Sequence, residues 1–170
     1  SISVFVGRLL DAREIVIENA DGVRRALAET GGGPQFAVAL LAQAGLVATT
    51  ASATNPDLSG QGWRTFFRGL ANDAVQGPAV ARYMAGKLGY KKVCVIKDDS
   101  TYGVGLAKTI SEGLGSAHDA SCDADVKAKE RDFAAVVNKV SQAKPDAVFY
   151  SGYYAEAAPL IQQLRNQGVN

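Results

Sequence analysis

The segment KKVCVIKDDSTYGVGLA, from Lys91 to Ala107, constrains this chain more than any other. Two lysines lead into an apolar, β-branched run of Val93, Val95 and Ile96. The run stops at an acidic, glycine-bearing turn and passes at once into a helix-forming stretch. This is the pattern of a strand buried on both faces of a parallel sheet, and the turn after such a strand is where open α/β sheets hold their ligands. The same grammar returns in KPDAVFYSGYYAEAAPLIQQLRNQG, with a strand at Ala147 to Tyr150, a turn at Ser151-Gly152-Tyr153-Tyr154 and a helix from Glu156 to Gln167. Each turn presents a tyrosine, Tyr102 or Tyr153, and neither carries a catalytic set. The chemistry points to a pocket that grips a molecule rather than one that transforms it.

Around these two units the chain alternates. Asp73 is the expected N-cap of a helix through Leu88, with Ala81, Met84, Ala85 and Leu88 on one face and Gly89 closing it. A helix is expected over about Val104 to Gly113, a weaker strand near Ala117 to Cys122, and an amphipathic helix from Asp132 to Ala143 through Phe133, Val136, Val137 and Val140. Strands alternating with helices from residue 77 onward imply βαβ units in a parallel sheet. The first half reads less evenly. Ser1 to Gly7 and Glu14 to Ile17 read as strands, and Asp21 or a neighbour caps a helix over Val23 to Glu29. A break at Gly31-Gly32-Gly33-Pro34 precedes a helix from Gln35 to Ala44. Leu46 to Thr50 reads as a short buried strand, Ala51 to Gly62 as a polar connection broken at Asn55-Pro56, and Thr65 to Arg68 as extended.

Composition narrows the function classes. The 170 residues suffice for one full core or two small ones, and 47% hydrophobic with 21% charged residues is ordinary for a globular chain. The 18 basic and 17 acidic residues are scattered, so there is no electrostatic case for nucleic acid or an anionic membrane. No apolar run approaches the roughly 20 residues that span a bilayer. The chain opens on Ser1 without a charged-then-apolar leader, so we expect either a removed signal segment or a start inside a longer protein. Cys94 and Cys122 lack metal-ligand spacing. They read as buried thiols in a reducing compartment, or as bridged or bridgeable in an oxidising one, since both fall on or beside neighbouring strands.

Enzyme readings fare poorly. Gly103-x-Gly105 follows a strand, but Lys108 stands where a dinucleotide fingerprint needs its third glycine. No GxxxxGK[ST] phosphate loop is present. Asp98 and Asp99 could begin a magnesium-binding acidic pair, yet the next strand ends in Tyr150-Ser151-Gly152 and supplies no partner carboxylate, so the pair reads as capping the following helix and loop. Ser52, Ser100 and Ser151 lie outside any G-x-S-x-G elbow, and His118 sits in a polar stretch suited to a solvated surface. No catalytic residue, metal ligand or cofactor is assigned.

The binding reading rests on three turns at strand ends. Ser52-Ala53-Thr54 offers hydroxyls and free backbone N–H groups able to hold a carboxylate. Thr54 could add its hydroxyl for an ammonium group. Tyr102 and Tyr153 supply ring faces for an aliphatic side chain and phenols for orientation.

In this order, S-A-T-x-P, Q-G-P-A, D-x-x-Y-G-x-G and G-Y-Y-A-E form a specific combination. The segments that carry it are ATTASATNPDLS (48–59), GLANDAVQGPAVARYM (69–84), KKVCVIKDDSTYGVGLAKTI (91–110), KERDFAAVVNKV (129–140) and DAVFYSGYYAEAAPLIQQLRNQGV (146–169). They resemble the type I periplasmic solute-binding proteins of branched-chain amino acid ABC transporters, the leucine/isoleucine/valine-binding proteins, which are related to receptor ligand-binding regions. The resemblance covers about residues 43 to 170. It implies an α/β fold of doubly wound parallel-sheet lobes with flavodoxin-like topology, joined by hinge strands around a ligand cleft. On this chain it implies a partial or altered first lobe over 1–68, an interlobe crossing at 69–76 and a second α/β lobe over 77–170. Ser52, Ala53 and Thr54 match the turn that grips the α-carboxylate and α-ammonium of an amino acid, and Tyr102 and Tyr153 match the tyrosines that close over it. The implied partners are a small amino acid and a membrane ABC permease. The implied location is periplasmic or extracellular, with a lipid anchor on the full-length precursor as one form.

The chain also departs from the family pattern. Members are about twice this length, and a serine-bearing, glycine-led turn is expected before the helix at Gln35, where Thr30-Gly31-Gly32-Gly33-Pro34 stands. Asn170 precedes the family's acidic ligand-binding turn. The resemblance therefore implies a shortened or altered member with weak or absent affinity of its own. Two other classes stay open at this point: a ligand-sensing regulatory domain of the same fold and a small flavodoxin-like enzyme.

Overall fold

The computed structural model of the protein describes residues 41–42 and 45–169. The expected strands at Ser1 to Gly7 and Glu14 to Ile17, the helix over Val23 to Glu29 and the break at Gly31 to Pro34 lie outside the described residues. Of the helix expected over Gln35 to Ala44, Leu41 and Ala42 are described, and both are helical. The chain divides into two compact units, Ser1–Leu70 and Ala71–Asn170.

In the first unit, strand β1 (Ala48–Thr50) pairs in parallel with β2 (Phe66–Arg68), with Thr50 opposite Arg68. β1 begins two residues later than its apolar run suggests. The connection between the strands, read as a polar loop, contains a one-turn helix, α1 (Asp57–Gly60), that buries Leu58. Pro56 stands just before it rather than breaking it, because proline's missing N–H is no loss at a helix start. Trp63 meets Phe66 edge-on at 6.3 Å between centroids.

The second unit is a three-stranded parallel sheet of order β4-β3-β5, formed by β3 (Val93–Asp98), β4 (Ala124–Val126) and β5 (Ala147–Ser151). Alternation along β3 feeds two cores, as a period of two requires. Val93 and Val95 pack with Ala81, Met84, Leu106, Ile110 and Leu114, whereas Ile96 packs on the other side with Val126, Phe133, Val137, Val140 and Leu160. Helices α2 (Asp73–Ala81) and α3 (Thr101–Leu114) contribute to the first cluster, α4 (Ala134–Ala143) and α5 (Tyr154–Asn166) to the second. Both faces of β3 are thus covered, which explains its uninterrupted apolar run.

Local chemistry moves several boundaries. Asn72, not Asp73, caps α2 by accepting from Val75 N at 3.2 Å. Asp73 is the first helical residue and is fully buried. The end of that helix widens into a π-helical turn, Arg82–Lys87, before Gly89 turns the chain at φ 74°. Ser100 caps α3 three residues ahead of the expected start, accepting from Gly103 N at 2.9 Å.

The strand expected at Ala117 to Cys122 is instead a pair of 3₁₀ turns, Gly115–Ala117 and Ala120–Cys122, with β4 following. The Asp119 side chain accepts from Ser121 N at 3.0 Å, offering the backbone a turn in place of a ladder. The segment still fastens to β3. Asp119 N donates to Val93 O at 2.9 Å, Asp123 Oδ1 accepts from Val95 N at 2.8 Å, and Cys94 is disulfide-bonded to Cys122 across a Cα separation of 5.3 Å. His118 is correspondingly not a solvated surface residue. It is partly buried, its Nε2 lies 2.8 Å from Asp123 Oδ2, and its backbone bridges to Val93.

Candidate functional site

The chain steps from β3 to β4 on one side and to β5 on the other. The carboxyl ends of β3 and β5 thus flank a topological switch point, the place where doubly wound sheets bind ligands. Two turns border it, Asp99-Ser100-Thr101-Tyr102 after β3 and Gly152-Tyr153 after β5.

Asp98, at the end of β3, is buried and organises both turns. Its Oδ1 accepts from Ser100 N at 3.0 Å and from the Ser100 hydroxyl, orienting the residue that caps α3. The Asp98 carboxylate also occupies the space that a Cβ on Gly103 or Gly152 would fill; its Oδ2 would stand 2.6 Å from a Gly152 Cβ. The two glycines are therefore needed for close approach. Ser151 Oγ donates to Gly103 O at 2.8 Å and ties the two turns together. Asp99 accepts from Ala128 N at 3.2 Å, so the acidic pair acts on backbone groups.

On this support Tyr102 and Tyr153 come together, with ring centroids 5.4 Å apart and planes tilted by 43°. Tyr102 is half-buried and Tyr153 exposed. Burial pushes the Tyr102 phenol up, and the charge of Asp73, the neighbouring Tyr153 and Asp98 push it further. Burial and then Asp98 raise Tyr153. Behind them Tyr150 is pushed up to about 12, by burial first and then by Asp98 and Glu156. Glu156, buried in the first turn of α5, accepts from Lys129 N at 2.6 Å. All three phenols thus stay protonated at neutral pH, able to donate or accept one hydrogen bond each.

In the first unit, Ser52, Ala53 and Thr54 form one turn after β1. The backbone N–H groups of Ser52 and Ala53, expected to be free, donate to Thr50 Oγ1 at 3.2 and 2.9 Å. The threonine that ends β1 closes its own turn over them. What remains for a ligand is the exposed Ser52 residue, the Thr54 N–H and the buried Thr54 hydroxyl, which has no hydrogen-bond partner among the described residues. Arg68 Nη1 braces the turn by donating to Ala53 O at 3.3 Å and Asn55 O at 2.8 Å.

Sequence reasoning missed Arg68, Asp73 and Tyr150. A lone arginine ending the neighbouring strand was the signal for the first. The acid heading the glycine-bearing helix α2 could have marked the second. Tyr150 is indistinguishable in sequence from any core aromatic of a strand.

A family model described as periplasmic binding protein matches residues 18–170. The leucine-specific-binding protein of Salmonella typhimurium is 32% identical over 127 residues, covering 74% of this chain and 34% of its own. The Leu/Ile/Val-binding protein homolog 3 of Brucella melitensis is 32% identical over 165 residues, covering 89% of this chain and 45% of its own. The chain thus spans about a third to a half of the length of these relatives. Among solved structures, a branched-chain amino acid transporter substrate binding protein of Streptococcus pneumoniae, in complex with isoleucine, superposes with a TM-score of 0.76 at 27% identity. That match covers 95% of this chain and 48% of the other. A leucine binding protein of Thermotoga maritima gives 0.71 at 25% identity, over 94% and 48%. The fold is that of part of a type I periplasmic binding protein, and the chain belongs to the periplasmic binding protein family.

Proposed function

We propose that this chain is the part of an extracytoplasmic substrate-binding protein that recognises a branched-chain or other small aliphatic amino acid, which the whole protein delivers to an ABC permease by hinge closure. The observation that carries this reading is the Thr54 hydroxyl in the turn after β1, buried and without a partner among the described residues. A polar group in that state costs free energy until something bonds it, so its retention suits a residue that waits for a ligand. In this reading the Ser52 hydroxyl and the Thr54 N–H and hydroxyl take the polar end of the amino acid, Ala53 shapes the turn between them, and Tyr102 and Tyr153 offer ring faces to the aliphatic side chain. The names of the relatives, leucine-specific and Leu/Ile/Val-binding, support the ligand class. The Cys94–Cys122 disulfide suits an oxidising compartment and supports a periplasmic or extracellular site of action. The role is binding, not catalysis.

The test is a titration of the 170-residue chain with leucine, valine and glutamate followed by amide chemical shifts, which reads affinities into the millimolar range. Leucine and valine should move the resonances of Thr54, Tyr102 and Tyr153, and glutamate should not. Unmoved resonances at saturating leucine would overturn the reading.

A further inference from the structure

Arg68 is the unanswered charge of the first unit. It ends β2 opposite Thr50, half-buried, and no carboxylate among the described residues pairs with it. A guanidinium carries five N–H donors in a rigid fork, and here the fork meets neutral oxygens alone. Nη1 donates to Ala53 O at 3.3 Å and to Asn55 O at 2.8 Å, and Nη2 donates to Ser59 Oγ. The Cζ atom stands 6.0 Å from the centroid of the Phe66 ring, two residues back on the same strand. The two carbonyls flank Thr54. Ala53 C=O and Thr54 N–H belong to one trans peptide unit, so the N–H points away from the oxygen that Arg68 holds. The N–H groups of Ser52 and Ala53 are occupied by Thr50 Oγ1. The Thr54 N–H meets no acceptor among the described residues, and the Thr54 hydroxyl beside it is buried without a partner there.

We propose that Arg68 is a positioning residue for ligand recognition: by gripping the carbonyls on either side of Thr54, it aims the Thr54 N–H at the carboxylate of an amino-acid ligand and makes the receiving turn electropositive. This deepens the amino-acid reading above and rests on it. Two effects act together. The grip fixes the plane of the Ala53–Thr54 peptide, so the direction of the donor is set before a ligand arrives. A cation at the oxygen end of a peptide also polarises it and strengthens the opposite N–H as a donor, as in any chain of hydrogen bonds. No described anion neutralises the guanidinium, so its field favours a negative group at this turn over a positive one. The turn is thus biased toward the carboxylate end of a zwitterion.

Two measurements on the 170-residue chain test this. The first needs no ligand: backbone amide relaxation by NMR, comparing the unsubstituted chain with Arg68→Met, which keeps an apolar stem and removes charge and donors. The order parameter of the Thr54 amide should fall, while those of Ser52 and Ala53, held by Thr50, stay as they are. An unchanged Thr54 amide, or an equal fall at all three, overturns the bracing. The second compares leucine with leucinamide, in which a neutral amide replaces the carboxylate. Arg68→Met should weaken leucine by roughly tenfold, the loss of one charge-assisted bond, and leave leucinamide within about twofold. Equal weakening of both ligands would reduce Arg68 to a structural role and overturn the proposal. Should the unsubstituted chain leave leucine unbound, the amino-acid reading falls and takes the carboxylate contact with it, while the relaxation measurement still decides whether Arg68 fixes the Thr54 amide. If Arg68→Met does not fold, Arg68→Lys decides by the same comparison. A lysine lacks the fork that reaches both carbonyls, so leucine should still weaken by more than leucinamide, and an equal change or none overturns the proposal.

Discussion

Thr54 Oγ1, the Tyr150 hydroxyl and both Asp73 oxygens are buried polar atoms without partners among the described residues, and an unpaired neutral group of this kind costs about 1–3 kcal/mol. The two hydroxyls can be tested separately. Thr54→Val keeps the shape and removes the hydroxyl, so urea denaturation should show unchanged or higher stability. Ligand affinity should fall by about 1.5–3 kcal/mol for the lost charge-assisted bond. A loss of stability without a loss of affinity would make Thr54 a packing residue. Tyr150 carries a pH signature. Its phenol is raised from 10.0 to about 12 in the folded chain, so between those values the unfolded chain releases a proton that the folded chain keeps. The unfolded state then binds fewer protons, and stability falls as pH rises from 10 toward 12. Below pH 10 both states are protonated and this pH dependence vanishes. Denaturation midpoints of the Tyr150→Phe variant should show a shallower decline across that window.

At the scale of elements, what could be read from sequence were the parts whose burial is two-sided or whose periodicity is long. Val93, Val95 and Ile96 announced β3, and the 3.6-residue pattern through Val136, Val137 and Val140 announced α4. What could not be read was decided by single side chains acting on distant backbone. Asp123 substitutes for a strand partner of Val95, and Asp119 folds its own segment into turns, so a stretch that reads as a strand becomes a strap. The site shows the same division. The tyrosines were legible because they follow strand ends, whereas Thr50 closing over Ser52 N and Ala53 N depends on the conformation of one turn. Glycines in α2 and the turn after it were equally silent, and they differ sharply in three dimensions. A Cβ on Gly77 would meet Thr109 Cβ at 2.6 Å and its backbone carbon at 2.8 Å, while one on Gly86 would meet nothing within 4 Å. Gly77→Ala should therefore destabilise by about 1–3 kcal/mol through overpacking. Gly86→Ala should stabilise by about 0.4–1 kcal/mol through the unfolded chain. Thermal unfolding of the two variants reads the opposite signs; the same sign for both would show that α2 and α3 do not pack through Gly77.

The whole molecule consists of two units. The second, Ala71–Asn170, carries a parallel sheet with a core cluster on each face and the disulfide, all from its own residues. Nothing in that list draws on β1 or β2. Residues 71–170 produced alone should accordingly fold in one cooperative transition, with a urea m-value of about 1–2 kcal/mol/M as suits a small domain. The disulfide should matter more there than in most domains, because a sheet of three strands has little core in reserve. Cys94 and Cys122 are separated by 28 residues, and closing a loop of that length removes unfolded-state entropy equivalent to about 3–4 kcal/mol. That is a large share of the roughly 5–15 kcal/mol that typical domains possess. The Cys94→Ala/Cys122→Ala variant of this unit, or the unit in reductant, should lose about that much stability and with it the strap that carries Asp119 and Asp123 against β3. Measured by urea denaturation with and without reductant, an unchanged midpoint would show that Asp119 N–Val93 O, Val95 N–Asp123 Oδ1 and the two cores hold the strap without the bond. A 71–170 unit unfolded even when oxidised would show that the sheet draws its stability from outside these residues.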